Sequence, residues 1–290
     1  MILMGTVIGD MLGSLYEFNN FSGSPEDLEF FPAGARFTDD TVLTCAVAQA
    51  LLNARTKAGN VNAGRFAREI TPQLQTFARN YPLACYGARF ETWIRTRNPS
   101  PYGSFGNGAA MRVSPCAWAA RSLSEAQSLA AIATAVTHNH PLGMAGAEAV
   151  VTALWMRRKG KSETEIRRIW RENYAALGEL KPLSTLWLPL SFDETCQGTV
   201  AIAVETVLES SSFEACVRKA MTLGGDSDTI AAIAGSIFEG RSEAAEALCR
   251  KALALLPSEL KSVIKDFNAA FFSEREQLAD ERYCPPKTQS

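Results

Sequence analysis

The chain has 290 residues, of which 47% are hydrophobic and 21% charged, the balance of a globular protein able to bury a sizeable core. Its 29 basic and 31 acidic residues leave a formal charge of −2, which offers no long-range attraction to phosphate backbones and argues against nonspecific nucleic-acid binding. The longest uncharged apolar stretch, around residues 41–54, falls short of the roughly 20 residues that cross a bilayer, and the seven cysteines include no Cys-x-x-Cys pair, so a cytoplasmic protein without membrane association or zinc is expected.

Apolar residues recur three and four apart in Ala- and Leu-rich runs rather than alternating, which predicts an all-α fold. At the start, Gly5, Gly9 and Gly13 fall four apart and give a helix a smooth face that another helix or a ligand can approach closely. A helix continuing to residue 17 would place Asp10, Ser14 and Glu17 on one side. Residues 19–37 read as a loop, in which Glu26-Asp27-Leu28-Glu29 is either a lid or a solvated turn. Further helices are predicted over Asp40–Leu52, Leu123–Val136, Gly143–Lys159, Ser162–Leu177, Gly198–Glu209, Thr229–Phe238, Ser242–Leu256 and Ser258–Phe271. Ser162 with Glu165 forms a capping box, and Pro257 stops a leucine run. Residues 98–108 and 181–194 read as loops. No linker separates two compositions, so one domain is expected over residues 1–283, with a disordered tail at 284–290.

Two segments carry the chemistry. Phe37-Thr38-Asp39-Asp40-Thr41-Val42 and Gly225-Asp226-Ser227-Asp228-Thr229-Ile230 each crowd two carboxylates and a threonine hydroxyl onto the first turn of an apolar helix. Helix capping is the competing explanation for either one. A cap needs one acceptor, however, and paired carboxylates cost stability unless a cation lies between them. The small residues Gly224, Gly225, Ala231, Ala232, Ala234 and Gly235 permit close backbone approach at the second segment. Convergence of the two segments would build an all-oxygen site suited to Mg²⁺, Mn²⁺ or Ca²⁺.

Between them, Ser104-Phe105-Gly106-Asn107-Gly108 runs from a loop into an Ala-containing helix, where exposed N–H groups could cradle a diphosphate; a plain Gly-rich turn is the alternative. The only two histidines lie in Thr137-His138-Asn139-His140-Pro141. Two apart, they do not share a helix face, which leaves a hydrogen bond to substrate or helix capping as their roles.

Taken in order, Gly5-x-x-x-Gly9-Asp10-Met11-Leu12-Gly13, Phe37 to Thr41, Ser104 to Arg112, Thr137-His138 and Gly224 to Thr229 resemble the ADP-ribosylglycohydrolase family, which includes dinitrogenase reductase activating glycohydrolase and hydrolases of ADP-ribosylated arginine or serine. The resemblance implies a compact single-domain orthogonal array of helices around a binuclear centre of two Mg²⁺, or Mn²⁺. Thr38, Asp39 and Asp40 would bind one ion, Asp226 and Thr229 the other, and Asp228 would bridge them. Ser104 through Gly108 would hold the diphosphate and adenosine end, with Phe105 facing adenine and His138 against the ligand. Glu17 would approach the metals and the scissile linkage, making Glu17 and Asp228 the catalytic candidates. The substrate implied is an ADP-ribosylated protein or another ADP-ribose-containing molecule, acted on by a monomer. A nucleotide binder that keeps the cleft without turnover is the rival.

Overall fold

The structure, a computed structural model, describes residues 1–242 and 244–272. The expected tail at 284–290 lies outside the described residues. Among them are thirteen α-helices and no strand beyond isolated bridges. In chain order they are α1 (Met4–Gly13), α2 (Asp39–Ala54), α3 (Ala63–Asn80), α4 (Ala88–Arg95), α5 (Ser114–Ala119), α6 (Leu123–Ala135), α7 (Pro141–Arg158), α8 (Glu163–Asn173), α9 (Cys196–Leu208), α10 (Phe213–Leu223), α11 (Ser227–Glu239), α12 (Glu246–Leu255) and α13 (Ser258–Phe271). None is long and apolar enough to cross a membrane.

The centre of the array is an antiparallel pair, α1 against α11, and every residue of both helices is buried. Close approach rests on the glycines. A Cβ at Gly9 would stand 2.3 Å from the Ala231 carbonyl oxygen, and one at Gly5 would stand 2.3 Å from that of Gly235. The four-residue glycine spacing is thus a helix-packing face. Glu239, near the end of α11, accepts hydrogen bonds from the Leu3 and Gly5 amides at 2.8 and 2.9 Å and so satisfies two orphan donors at the start of α1. The opposite end of the pair delivers Asp228 to the end of α1.

Several boundaries differ from expectation. Helix α1 stops at Gly13, and the chain turns, with the Tyr16 amide donating to the Gly13 carbonyl at 2.7 Å. Asp10, Ser14 and Glu17 therefore do not share a helix face. The capping box at Ser162 and Glu165 is present, but α8 ends at Asn173, and a separate 3₁₀ turn takes up Ala175–Leu177. Helix α12 begins at Glu246 rather than Ser242. Helices α3, α4, α5 and α10 add to the predicted set. The acidic 26–29 turn is docked rather than loose: Leu28 is buried, and Arg218 on α10 donates to the Pro25 and Leu28 carbonyls.

Candidate metal centre and cleft

Both acidic segments form the first turns of helices, and neither Asp40 nor Asp226 accepts from the first amides of its own helix. The N-terminus of α2 is capped from outside. Asp10 of α1 accepts from the Thr38 amide at 2.9 Å, from the Thr41 amide at 3.1 Å and from the Thr38 hydroxyl at 2.5 Å. Asp39 and Asp40 are left for another purpose. On α11, Asp226 occupies the cap position without capping and instead accepts from Asn107 Nδ2 at 2.6 Å. Asp228 Oδ1 accepts from the Thr229 amide at 2.9 Å. The chain reaches this helix through Gly224 and Gly225, both at positive φ (76° and 75°), which a side chain would resist.

The two helix starts meet. Oxygens of Asp10, Asp40 and Asp228 lie within 4.8 Å of one another, as do oxygens of Glu17, Asp226 and Asp228. Asp228 belongs to both groups. Gly13 makes this possible, since a Cβ there would fall 2.1 Å from the Asp228 Cα. Asp40 is buried, and its Oδ1 has no hydrogen-bond partner. A buried carboxylate oxygen without a donor, beside two other acids, suits a hard cation.

The electrostatics agree with that fit. Burial first, then Asp10, Asp39 and Asp226, hold Asp40 well above the usual carboxylate range. Burial followed by Asp226, Asp40 and Glu17 does the same to Asp228. Asp39 is raised by burial and then by Asp10, Asp226 and Glu17. Glu17 is pushed up to about 7 by burial and then by Asp226 and Asp10, against the pull of Arg36. Without added positive charge, the cluster favours bound protons.

Beside the cluster opens a cleft of about 430 Å³. Glu17, Asp39, Asp226, Asp228 and Thr229 line it on the acidic side, and Ser104, Gly106, Asn107, Gly108 and His138 line it elsewhere. The segment after Ser104 enters a 3₁₀ turn, Asn107–Ala109, rather than the expected helix. Two of its amides are already used: Gly106 N donates to Ser104 Oγ at 3.1 Å, and Asn107 N to the Glu194 carbonyl at 2.7 Å. An open nest of N–H groups is therefore not what the segment offers here. Phe105 is 42% exposed, and its ring lies 5.1 Å from that of His140. The two histidines separate in role. His140 caps α7 by accepting from the Leu142 amide at 3.2 Å, whereas His138 is buried against the cleft.

Of the expected metal ligands, Asp40, Asp226 and Asp228 fall within the two oxygen groups. Asp39 is half-buried on the cleft wall, Thr38 directs its hydroxyl to Asp10, and Thr229 Oγ1 donates to Asp40 Oδ2 at 3.2 Å. Glu17 reaches the cluster through the turn after α1. Asp10 is the member to which the motifs assigned no definite role. Arg112, fully buried at the cleft, is a second residue to which the motifs give none.

Comparisons with known proteins bear on the whole architecture. The ADP-ribosylhydrolase ARH3 of Bos taurus is 31% identical over 193 residues, 56% of this chain and 50% of that protein. The chain thus spans about half the length of the curated bovine and mouse relatives it matches. The Homo sapiens ARH3 is 26% identical over 308 residues, covering 81% of this chain and 82% of that protein. A solved structure described as an ADP-ribosylglycohydrolase-related protein complex shares the fold, with a TM-score of 0.69 at 23% identity over 93% of this chain and 95% of its own. The family model for ADP-ribosylglycohydrolase matches residues 1–276, and by that match this chain belongs to the ADP-ribosylglycohydrolase family.

Proposed function

We propose that the chain is a divalent-cation-dependent hydrolase that cleaves the glycosidic bond between the distal ribose of an ADP-ribosyl group and the arginine or serine side chain bearing it, releasing ADP-ribose. The observation that carries this reading is the meeting of Asp10, Asp40 and Asp228, and of Glu17, Asp226 and Asp228, beside a cleft large enough for a nucleotide-sized ligand. Asp10, Asp40 and Asp228 would hold one cation and Glu17, Asp226 and Asp228 a second, with Mg²⁺ or Mn²⁺ favoured by the all-oxygen donor set. When bound, such cations lower the pKa of a coordinated water and orient ribose hydroxyls.

The chain's own groups do the rest. Cleavage at the anomeric carbon builds oxocarbenium character on the ribose, and the surrounding carboxylates favour that positive charge. Glu17 belongs to the acidic group and lines the cleft, where its carboxylate can take a proton from water or pass one to the departing side chain. Asn107 holds Asp226 in place through its 2.6 Å bond. In this reading the diphosphate and adenosine end lies along Ser104 to Gly108, held by groups other than the engaged Gly106 and Asn107 amides and the Asn107 side chain, with the exposed Phe105 ring as a stacking surface for adenine.

The test is incubation with Mg²⁺ and separately prepared arginine-, serine- and poly-linked ADP-ribose, followed by product analysis. ADP-ribose release that stops with EDTA is expected from at least one substrate. AMP with ribose phosphate would mean diphosphate cleavage, and ADP-ribose binding without release would mean a binder. Either result overturns the proposal.

A further inference from the structure

Arg112 has no exposed surface, and its Nη2 donates to the Thr137 hydroxyl at 2.6 Å and to the Ala133 carbonyl at 3.2 Å. Its Nε and Nη1 have no hydrogen-bond partner. Thr137 Oγ1 in turn lies 2.7 Å from His138 Nδ1 and 3.4 Å from the Thr134 carbonyl oxygen. A threonine hydroxyl has one proton to give, and a neutral imidazole has one N–H. Two arrangements fit these distances.

In the first, Thr137 donates to His138 Nδ1, and the imidazole proton sits on Nε2. In the second, His138 donates from Nδ1, so that Thr137 accepts from two donors and sends its own proton to Thr134. The second arrangement loses on two counts. Its outgoing bond, at 3.4 Å, lies beyond the roughly 2.5–3.0 Å range of a sound O–H···O hydrogen bond. The guanidinium also polarises Oγ1, which makes the hydroxyl a better donor and a poorer acceptor, and its charge opposes a second N–H dipole pointing the same way.

We infer that Arg112 and Thr137 are positioning residues that lock His138 in its neutral Nε2–H form and so give the cleft a fixed, uncharged hydrogen-bond donor. Nε2 faces the backbone of Gly106 and Gly108, where a Cβ would lie 3.7 and 3.5 Å away, and these missing side chains keep the donor accessible. Such a donor recognises a phosphate, carbonyl or hydroxyl oxygen. Burial, then the Arg112 and Arg89 charges, push the imidazole down to about 2, so a second proton does not compete at neutral pH. The tautomer stands on geometry alone. Only the identity of the ligand oxygen rests on the proposed function.

The chain's two histidines make the test direct. In the ¹⁵N-labelled 290-residue chain, His140→Asn keeps a competent helix cap and leaves His138 as the only imidazole. Long-range ¹H–¹⁵N correlation at neutral pH is expected to show a single species, protonated at Nε2 and bare at Nδ1. Thr137→Val should break this into a tautomer mixture, and Thr137→Ser should restore it. An Nδ1–H form or an imidazolium in the otherwise wild-type spectrum overturns the inference, as does an unchanged pattern in Thr137→Val. A valine variant that fails to fold leaves the decision with the wild-type spectrum. Addition of ADP-ribose is a separate arm: movement of the Nε2 resonance supports the ligand contact, and a stationary resonance in a saturated complex refutes that contact alone.

Discussion

The Thr229 hydroxyl donates to Asp40 Oδ2 at 3.2 Å, joining the first turns of two helices whose bonded residues lie 189 positions apart in sequence. The bond leaves Asp40 Oδ1 buried and unpaired while Asp228 approaches from the same helix as Thr229. Asp228 is the one acid common to both oxygen groups, so its substitution should affect both. Asp228→Asn is expected to lower ADP-ribose release by about 100-fold or more, since even an outer partner of a metal ligand is worth 10- to 100-fold. Calorimetric titration with Mn²⁺ should show the matching loss of binding. In EDTA the same variant should melt at a higher temperature than wild type, because the amide spares the fold the cost of burying either the Asp228 charge or the proton that neutralises it. Unchanged Mn²⁺ binding would refute the role given to Asp228.

The raised carboxyls also set a pH dependence. Asp39, Asp40 and Asp228 hold protons more tightly in the folded chain than in the unfolded one, and Glu17 shifts from 4.5 to about 7. For a raised group, the stability is fully present below the unfolded value and is lost as pH rises through the folded value. In EDTA, the melting temperature should therefore fall between about pH 5 and pH 8, a window that contains the Glu17 transition. Saturating Mg²⁺ should flatten that fall by supplying the positive charge that protons otherwise provide. Differential scanning calorimetry in both conditions checks the sign, and a melting temperature that rises with pH in EDTA would contradict the account.

The acidic helix starts are legible in the sequence because two carboxylates within three residues exceed what a cap requires. The glycine spacing of α1 is equally legible as a packing face. Asp10 is not, since its partner Thr38 lies 28 residues away and nothing local marks a lone acid in an apolar helix as a cap for another helix. Glu17 reaches its place by a turn rather than by helical spacing, so the expectation identifies the residue through a route the chain does not take. Helix α3 escapes notice because Pro72 stands in its interior, although Phe66, Ile70, Leu74 and Phe77 keep the helical period. Pro72 is exposed, so the hydrogen bond it forgoes lies on the outer face. The lock on His138 joins residues from two motifs and needs the fold to become visible.

Asn107 offers a graded test of how the acidic site is held. Its Nδ2 is shared between Asp226 Oδ2 at 2.6 Å and Thr199 Oγ1 at 3.0 Å, which fixes the carboxylate without adding a ligand oxygen. Asn107→Ala should weaken cation affinity by about 10- to 100-fold while leaving the fold intact. Raising Mg²⁺ should recover most of the lost turnover. Failure of excess cation to rescue activity would show that Asn107 acts on the substrate instead.

Gly13 carries the packing that brings α1 and α11 together at the site, and it can be set against a glycine that carries none. An alanine Cβ at Gly13 would lie 2.1 Å from the Asp228 Cα and 2.5 Å from its Cβ, with no flexible side-chain end able to move aside. The helices must part, and Asp228 moves with α11. Gly13→Ala should cost about 3 kcal/mol in a denaturant titration, at the upper end for an overpacked core, and should lose cation-dependent stabilisation as well. Gly87 borders the same cleft, has φ of −61°, and has nothing within 4 Å of a built Cβ. Gly87 is the N-cap of α4, so Gly87→Ala should lose no more than about 1 kcal/mol, the cost of alanine at a cap, and keep the full cation response. Equal stability losses at the two positions would mean that the α1–α11 contact is not what places Asp228.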